Sequence, residues 1–192
     1  MKSIILITKN ERKVASLKSI VYRYGYDVDV TDISPPEIQA NSTAEIAAFA
    51  AKWAADKINK PCVKMDSGFF IDEFGSFPGA YVRWVDEGLG AARFFEIVKN
   101  TENKRAMITC SVAYCEPKSE PITFFGSTLG RVPNTLGTIG SFIDRLFIPD
   151  EYNPKNLTLG ELRDIDPNSV VKIWGKAEKE FVRWLSKRQK QR

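Results

Sequence analysis

The stretch SIILITKNERKVASLKSIVYRYGYDVDVT, residues 3–31, decides the fold class. Ser3 to Ile7 is a continuous apolar run rich in isoleucine, the pattern of a buried strand. It ends at Thr8-Lys9-Asn10. Val14, Leu17, Val21 and Tyr24 then recur at three- and four-residue spacing, as on the apolar face of a helix, until Gly25 stops it. Asp27 to Thr31 alternates as a second strand. Strand, helix and strand in that order open an α/β fold.

Working outward, Ser34-Pro35-Pro36 breaks the chain and Ser42-Thr43-Ala44-Glu45 reads as a capping box. The helix it opens carries Ile46, Phe49, Ala50, Trp53 and Ile58 on one face. Val63–Met65 and Phe69–Asp72 read as short strands on either side of Asp66-Ser67-Gly68, followed by a loop over Gly75–Tyr81. A helix is expected over Gly90–Asn100. Arg105–Tyr114 and Ile122–Val132 read as an antiparallel hairpin turned by Glu116–Pro121. Thr135–Gly140 is a loop, Phe147-Ile148-Pro149 is extended, and Leu157–Leu162 begins a helix. The last helix, Gly175–Lys187, turns Ala177, Phe181, Trp184 and Leu185 inward. The expectation is one α/β domain over residues 1–192 with a mixed sheet, because the hairpin follows the β-α-β-α-β order.

The chain has 192 residues and no histidine, which excludes Ser-His-Asp and Cys-His catalysis and His-ligated zinc. Acid–base work at neutral pH falls to Asp, Glu, Lys, Tyr or Cys. Cys62, Cys110 and Cys115 are three and lack a C-x-x-C pair, as in a reducing compartment. No apolar run approaches the ~20 residues of a membrane span, and the opening is too short and too soon charged for a signal peptide. A cytoplasmic location is therefore expected. The net charge of +4 divides into +6 from Lys172 onward and −2 before it. A case for nucleic acid would rest on the tail Lys187-Arg188-Gln189-Lys190-Gln191-Arg192 alone, and the expectation is a solvated helix end.

Two places are suited to phosphate chemistry. At Thr8-Lys9-Asn10-Glu11-Arg12-Lys13 a strand passes into a helix N-terminus, whose N–H groups and partial positive charge favour an anion. Thr8 and Asn10 add neutral donors and Lys13 a cation one turn along, or the junction is simply an ordinary capped helix. No G-x-x-x-x-G-K-[ST] P-loop occurs. At Asp66-Ser67-Gly68 an acid is followed by a small donor and a glycine, a position for a metal or a general base, or simply a capped tight turn. Glu37 is a second acid that could share a divalent ion. Lys52 could enter a cleft from the second helix, or snorkel. Pro78-Gly79-Ala80-Tyr81-Val82-Arg83 could place an aromatic and a cation beside a nucleotide.

Taken in order, Thr8-x-Asn10-x-x-Lys13, Glu37-Ile38-Gln39, Ala51-Lys52-Trp53, Asp66-Ser67-Gly68-Phe69-Phe70, Phe77-Pro78-Gly79-x-Tyr81-x-Arg83, Phe125-Gly126 and Asp144-x-x-Phe147-x-Pro149 resemble the inosine/xanthosine triphosphate pyrophosphatase family, most closely its archaeal members. The resemblance spans about residues 3 to 185. It implies an elongated α/β body with a long mixed sheet flanked by helices and two lobes around a central cleft. It also implies hydrolysis of non-standard purine nucleoside triphosphates to monophosphate and pyrophosphate, with Mg²⁺, by a homodimer. Carried over by position, Thr8, Asn10, Lys13 and Lys52 would hold the triphosphate, and Glu37 and Asp66 the metal. Asp66 would also place or activate the attacking water. Ser67, Gly68, Tyr81 and Arg83 would line the cleft, with Phe142, Asp144 and Lys172 toward the nucleotide.

The chain departs from the pattern in three places. Met65 stands where an acid usually precedes the DSG triplet. The base-binding Phe-x-(Tyr/Trp)-Asp becomes Ser141-Phe142-Ile143-Asp144. Asn168 and Lys172-Ile173-Trp174 replace the late Lys and the Ser-His-Arg. Two readings follow: a hydrolase with altered or relaxed base preference, in which Phe142, Trp174 and Tyr81 supply stacking, or a catalytically degenerate nucleotide-binding or regulatory homologue.

Overall fold

The structure, a computed structural model, describes residues 2–31 and 33–189; Lys190, Gln191 and Arg192 of the basic tail lie outside the described residues. The opening stretch forms the expected unit: β1 (Lys2–Ile7), α1 (Glu11–Val21) and β2 (Tyr26–Thr31). β1 and β2 pair in parallel, with Ile4 opposite Val28 and Ile7 opposite Thr31. Gly25, at φ +80°, supplies the left-handed turn that lets the chain leave the helix and enter β2. α2 (Thr43–Ile58) is opened by Ser42, whose hydroxyl oxygen accepts the Ala44 N–H. Its buried stripe is mostly alanine (Ala47, Ala50, Ala51, Ala54 and Ala55), whereas Phe49 is exposed.

β3 (Cys62–Ile71) corrects the sequence reading, for it is one strand of ten residues. Asp66-Ser67-Gly68 lies inside it and makes no turn. Local propensity argues for a break at an Asp and a Gly, but the buried Val63, Met65, Phe69 and Ile71 on either side anchor a continuous strand. β3 pairs in parallel with β1 and antiparallel with the short β4 (Pro78–Gly79). β5 (Arg105–Cys115) and β6 (Ile122–Arg131) form the expected hairpin, since six connecting residues suffice only for antiparallel neighbours. β7 (Ile148–Pro149) pairs antiparallel with β6. The sheet order is β2-β1-β3-β5-β6-β7 with β4 on β3, a mixed seven-stranded sheet.

α3 (Val82–Val98) begins earlier than the expected Gly90, which instead interrupts it at φ 70° and ψ 164°. The exposed Trp84 and Leu89 mask the helical period of its first half. α4 (Phe142–Leu146) and α6 (Pro167–Trp174) are also unexpected, while α5 (Leu159–Ile165) and α7 (Lys176–Gln189) lie near their expected places.

The chain divides into two compact units. One comprises Met1–Asp66, Cys110–Gly126 and Gly175–Arg192; the other comprises Ser67–Thr109 and Ser127–Trp174. The first unit packs Ile7, Cys62, Ala113 and Cys115 against the alanines of α2. It also clusters the rings of Tyr114, Phe124, Phe181 and Trp184. The three cysteines are buried, and burial pushes the Cys62 thiol up to about 11. The second unit has its own core, which includes Phe69, Phe94, Phe142, Leu146, Phe147, Leu159 and Ile173.

Candidate active site

In the first unit, β1 delivers Thr8 and Asn10 to the start of α1. The Thr8 hydroxyl oxygen accepts the Asn10 N–H at 3.0 Å. Asn10 Oδ1 caps the helix by accepting the N–H groups of Arg12 at 2.9 Å and Lys13 at 3.4 Å. These bonds use the two side chains as acceptors, so neither engages the Thr8 O–H or the Asn10 NH₂ as a donor. That polarity suits an anion. Lys13 Nζ donates to the backbone carbonyl of Met65 at 2.9 Å, which fixes the cation beside the residue that precedes Asp66. The start of α1 is thereby tied to the β3 backbone just before Asp66.

Asp66 is part-buried in β3 and its Oδ2 is occluded from solvent. Glu37 is exposed in the segment between β2 and α2. Lys52 points from α2 to Glu120, with which it forms an ion pair; this contact is the chief cause of its raised pKa. Among the described residues, no group of three or more acids and cysteines could hold a metal unaided. Mg²⁺ does not need one. It is commonly held by one or two carboxylates plus substrate phosphates and water, and Glu37 and Asp66 each carry hard oxygen donors of that kind.

In the second unit the expected site residues are more heavily engaged. Ser67 is part-buried. Gly68 has a packing reason, for a Cβ there would stand 2.5 Å from Phe70 Cε2 and 3.0 Å from the Gly79 carbonyl oxygen. Tyr81 caps α3, its N–H bonded to the Pro78 carbonyl at 2.9 Å. Arg83 Nε pairs with Glu87 at 2.8 Å, and its guanidinium lies over the Trp84 ring. Lys172 is exposed on α6, its ammonium 5.2 Å from the Tyr152 ring centre.

Phe142 requires a correction. It is 3% exposed, its ring packs 5.1 Å from that of Phe94, and it belongs to the core rather than to a surface where a base could stack. Asp144 is buried as well. It accepts the Ser141 N–H at 2.9 Å, the Ser141 hydroxyl at 2.8 Å and Arg163 Nη2 at 2.6 Å. Burial works against the Asp144 charge, but the Ser141 amide and Arg163 prevail and hold its carboxyl below the usual range.

The Ham1 family model matches residues 4–184. The chain belongs to the Ham1 family. A dITP/XTP pyrophosphatase of Methanosarcina acetivorans is 34% identical over 187 residues, covering 97% of this chain and 98% of its own. One of Methanopyrus kandleri is 32% identical over 182 residues, covering 94% and 95%. The solved HAM1 protein of Coxiella burnetii matches with a TM-score of 0.80 at 24% identity, over 97% of this chain and all of its own, and carries the fold. The family read from the ordered motifs, and its archaeal flavour, are thus confirmed.

Three side chains of this Ham1 protein escaped the sequence reading. Glu120 holds Lys52, Arg163 holds Asp144, and Glu178 is buried against Ser16. Only Glu178 carried a signal. It falls on the apolar stripe of α7, one turn before Phe181 and Val182, where an acid is out of place.

Proposed function

We propose that this Ham1 protein is a nucleoside triphosphate pyrophosphohydrolase. Water attacks the α-phosphorus, the α–β anhydride bond breaks, and the products are the monophosphate and pyrophosphate. The observation that carries this reading is the bond from Lys13 Nζ to the Met65 carbonyl, which ties the donor-rich start of α1 to the strand position of Asp66. Thr8, Asn10 and Lys13 engage the phosphate chain as donors, with Lys52 contributing once it exchanges Glu120 for phosphate. Asp66 orients the attacking water and accepts its proton. Glu37 and Asp66 would hold Mg²⁺, which when bound neutralises phosphate charge. Ser67, Gly68, Tyr81, Arg83 and Lys172 bear on the rest of the nucleotide. Base preference is altered or relaxed relative to the dITP/XTP enzymes, because Asp144 is spent on Ser141 and Arg163. A cytoplasmic homodimer belongs to the same proposal.

Pyrophosphate release from dITP, XTP and ITP, with and without Mg²⁺, tests it. Metal-dependent turnover that falls by about 10²–10⁴-fold in Asp66→Asn is the expected result. A flat panel with nucleotide still bound in calorimetry would leave a binding protein that lacks the chemistry.

A further inference from the structure

Glu178 is the most heavily buried acid of the first unit, 1% exposed on the first turn of α7. Its Oε1 accepts the Ser16 hydroxyl at 2.9 Å. Its Oε2 is enclosed and has no hydrogen-bond partner among the described residues. A buried carboxylate left half-satisfied costs stability, so its retention calls for a reason. Ser16 lies one helical turn beyond Lys13 on α1, which places Glu178 against the same face of that helix as Lys13. The charged groups acting on Glu178 are Lys13 from α1 and Lys179 from α7 itself. Lys13 meanwhile spends a donor on the Met65 carbonyl.

We propose that Glu178 is a positioning residue of the nucleotide site, held by Ser16 and acting on Lys13, and that it takes up a proton from solvent when a phosphate chain engages Lys13. This rests on the reading that Lys13 holds the phosphate chain. In the empty protein the carboxylate and the ammonium favour each other's charge. An arriving phosphate chain draws on the same ammonium and repels the buried carboxylate, so the protonated acid is the form compatible with ligand. Linkage requires the converse: binding weakens as rising pH strips that proton. Burial already pushes the Glu178 carboxyl up, against its own backbone N–H, Ser16, Lys13 and Lys179, which pull it down. A neutral, isosteric glutamine would mimic the binding form and remove the linkage.

The test is calorimetric titration of the full chain with Mg²⁺ and the α,β-imido analogue of dITP, from about pH 5 to 8, in buffers of different ionisation enthalpy. Protons exchanged by the ligand itself cancel between wild type and variant. The expected result is proton uptake by the wild type that exceeds that of Glu178→Gln, by up to about half a proton for a tenfold coupling and by less than one proton at any coupling. Ser16→Ala, which removes a donor favouring the charged form, should move the pH of greatest uptake upward. The ¹³C shift of the Glu178 carboxyl in the wild type, followed with and without the analogue, gives the same answer without a variant. Equal uptake in wild type and Glu178→Gln, with binding still dependent on Lys13, would overturn this inference alone. Binding that Lys13→Ala leaves unchanged would overturn the phosphate reading and this inference with it.

Discussion

The start of α1 and the segment around α4 both carry residues that match the family's nucleotide-contacting positions, yet their side chains are committed differently. Thr8 and Asn10 use oxygen lone pairs to fold their own junction, and those bonds leave out the Thr8 O–H and the Asn10 NH₂. Asp144 accepts Ser141 and Arg163 at once, and Phe142 is sealed against Phe94. A residue that matches a motif can therefore be committed to the fold in one place and keep polar atoms uncommitted in another. What it touches decides which.

The sharpest way to break the contrast is Phe142→Ala. A core aromatic removed from this packing should cost about 3–5 kcal/mol in unfolding free energy, measured by denaturant titration. A stacking residue would instead raise KM and leave stability nearly unchanged. Arg163→Met should cost about 2–3 kcal/mol at neutral pH, below the cost for a fully buried pair because Arg163 is partly exposed. The sign with pH follows from the depressed Asp144 carboxyl. Its contribution is present above the unfolded value of about 3.9 and is lost as pH falls through the lower folded value, so the gap between wild type and Arg163→Met should close in acid. On the other side of the comparison, Lys13→Ala should lower kcat/KM by about 10- to 100-fold, the worth of a charge-assisted bond. Lys172→Ala, at an exposed cation over Tyr152, should change it less than about threefold.

Most of the sheet was legible because its signals are local. The isoleucine run of β1, the helical period of α1 and the long hairpin each announce themselves within a dozen residues. β3 was not, because Asp66-Ser67-Gly68 carries turn chemistry that only the neighbouring strands override. The first half of α3 was hidden by Trp84 and Leu89, apolar residues that face solvent. At the site, the residue types that suit phosphate could be named from sequence, but their commitments could not. Glu120 lies 68 positions from Lys52, and Arg163 lies 19 from Asp144, distances over which no spacing rule operates. Glu178 was the exception, an acid on an apolar stripe.

Asp144 is held by the fold through Ser141 and Arg163, which leaves its oxygens committed before any base arrives. The most direct test is kcat/KM for dITP, XTP, dGTP and dATP under one set of conditions. Turnover of all four within about 100-fold is expected, the range available to shape and apolar contact without committed hydrogen bonds. A preference of about 10⁴-fold or more for one base would contradict it, since discrimination on that scale requires a site built to hydrogen-bond the base.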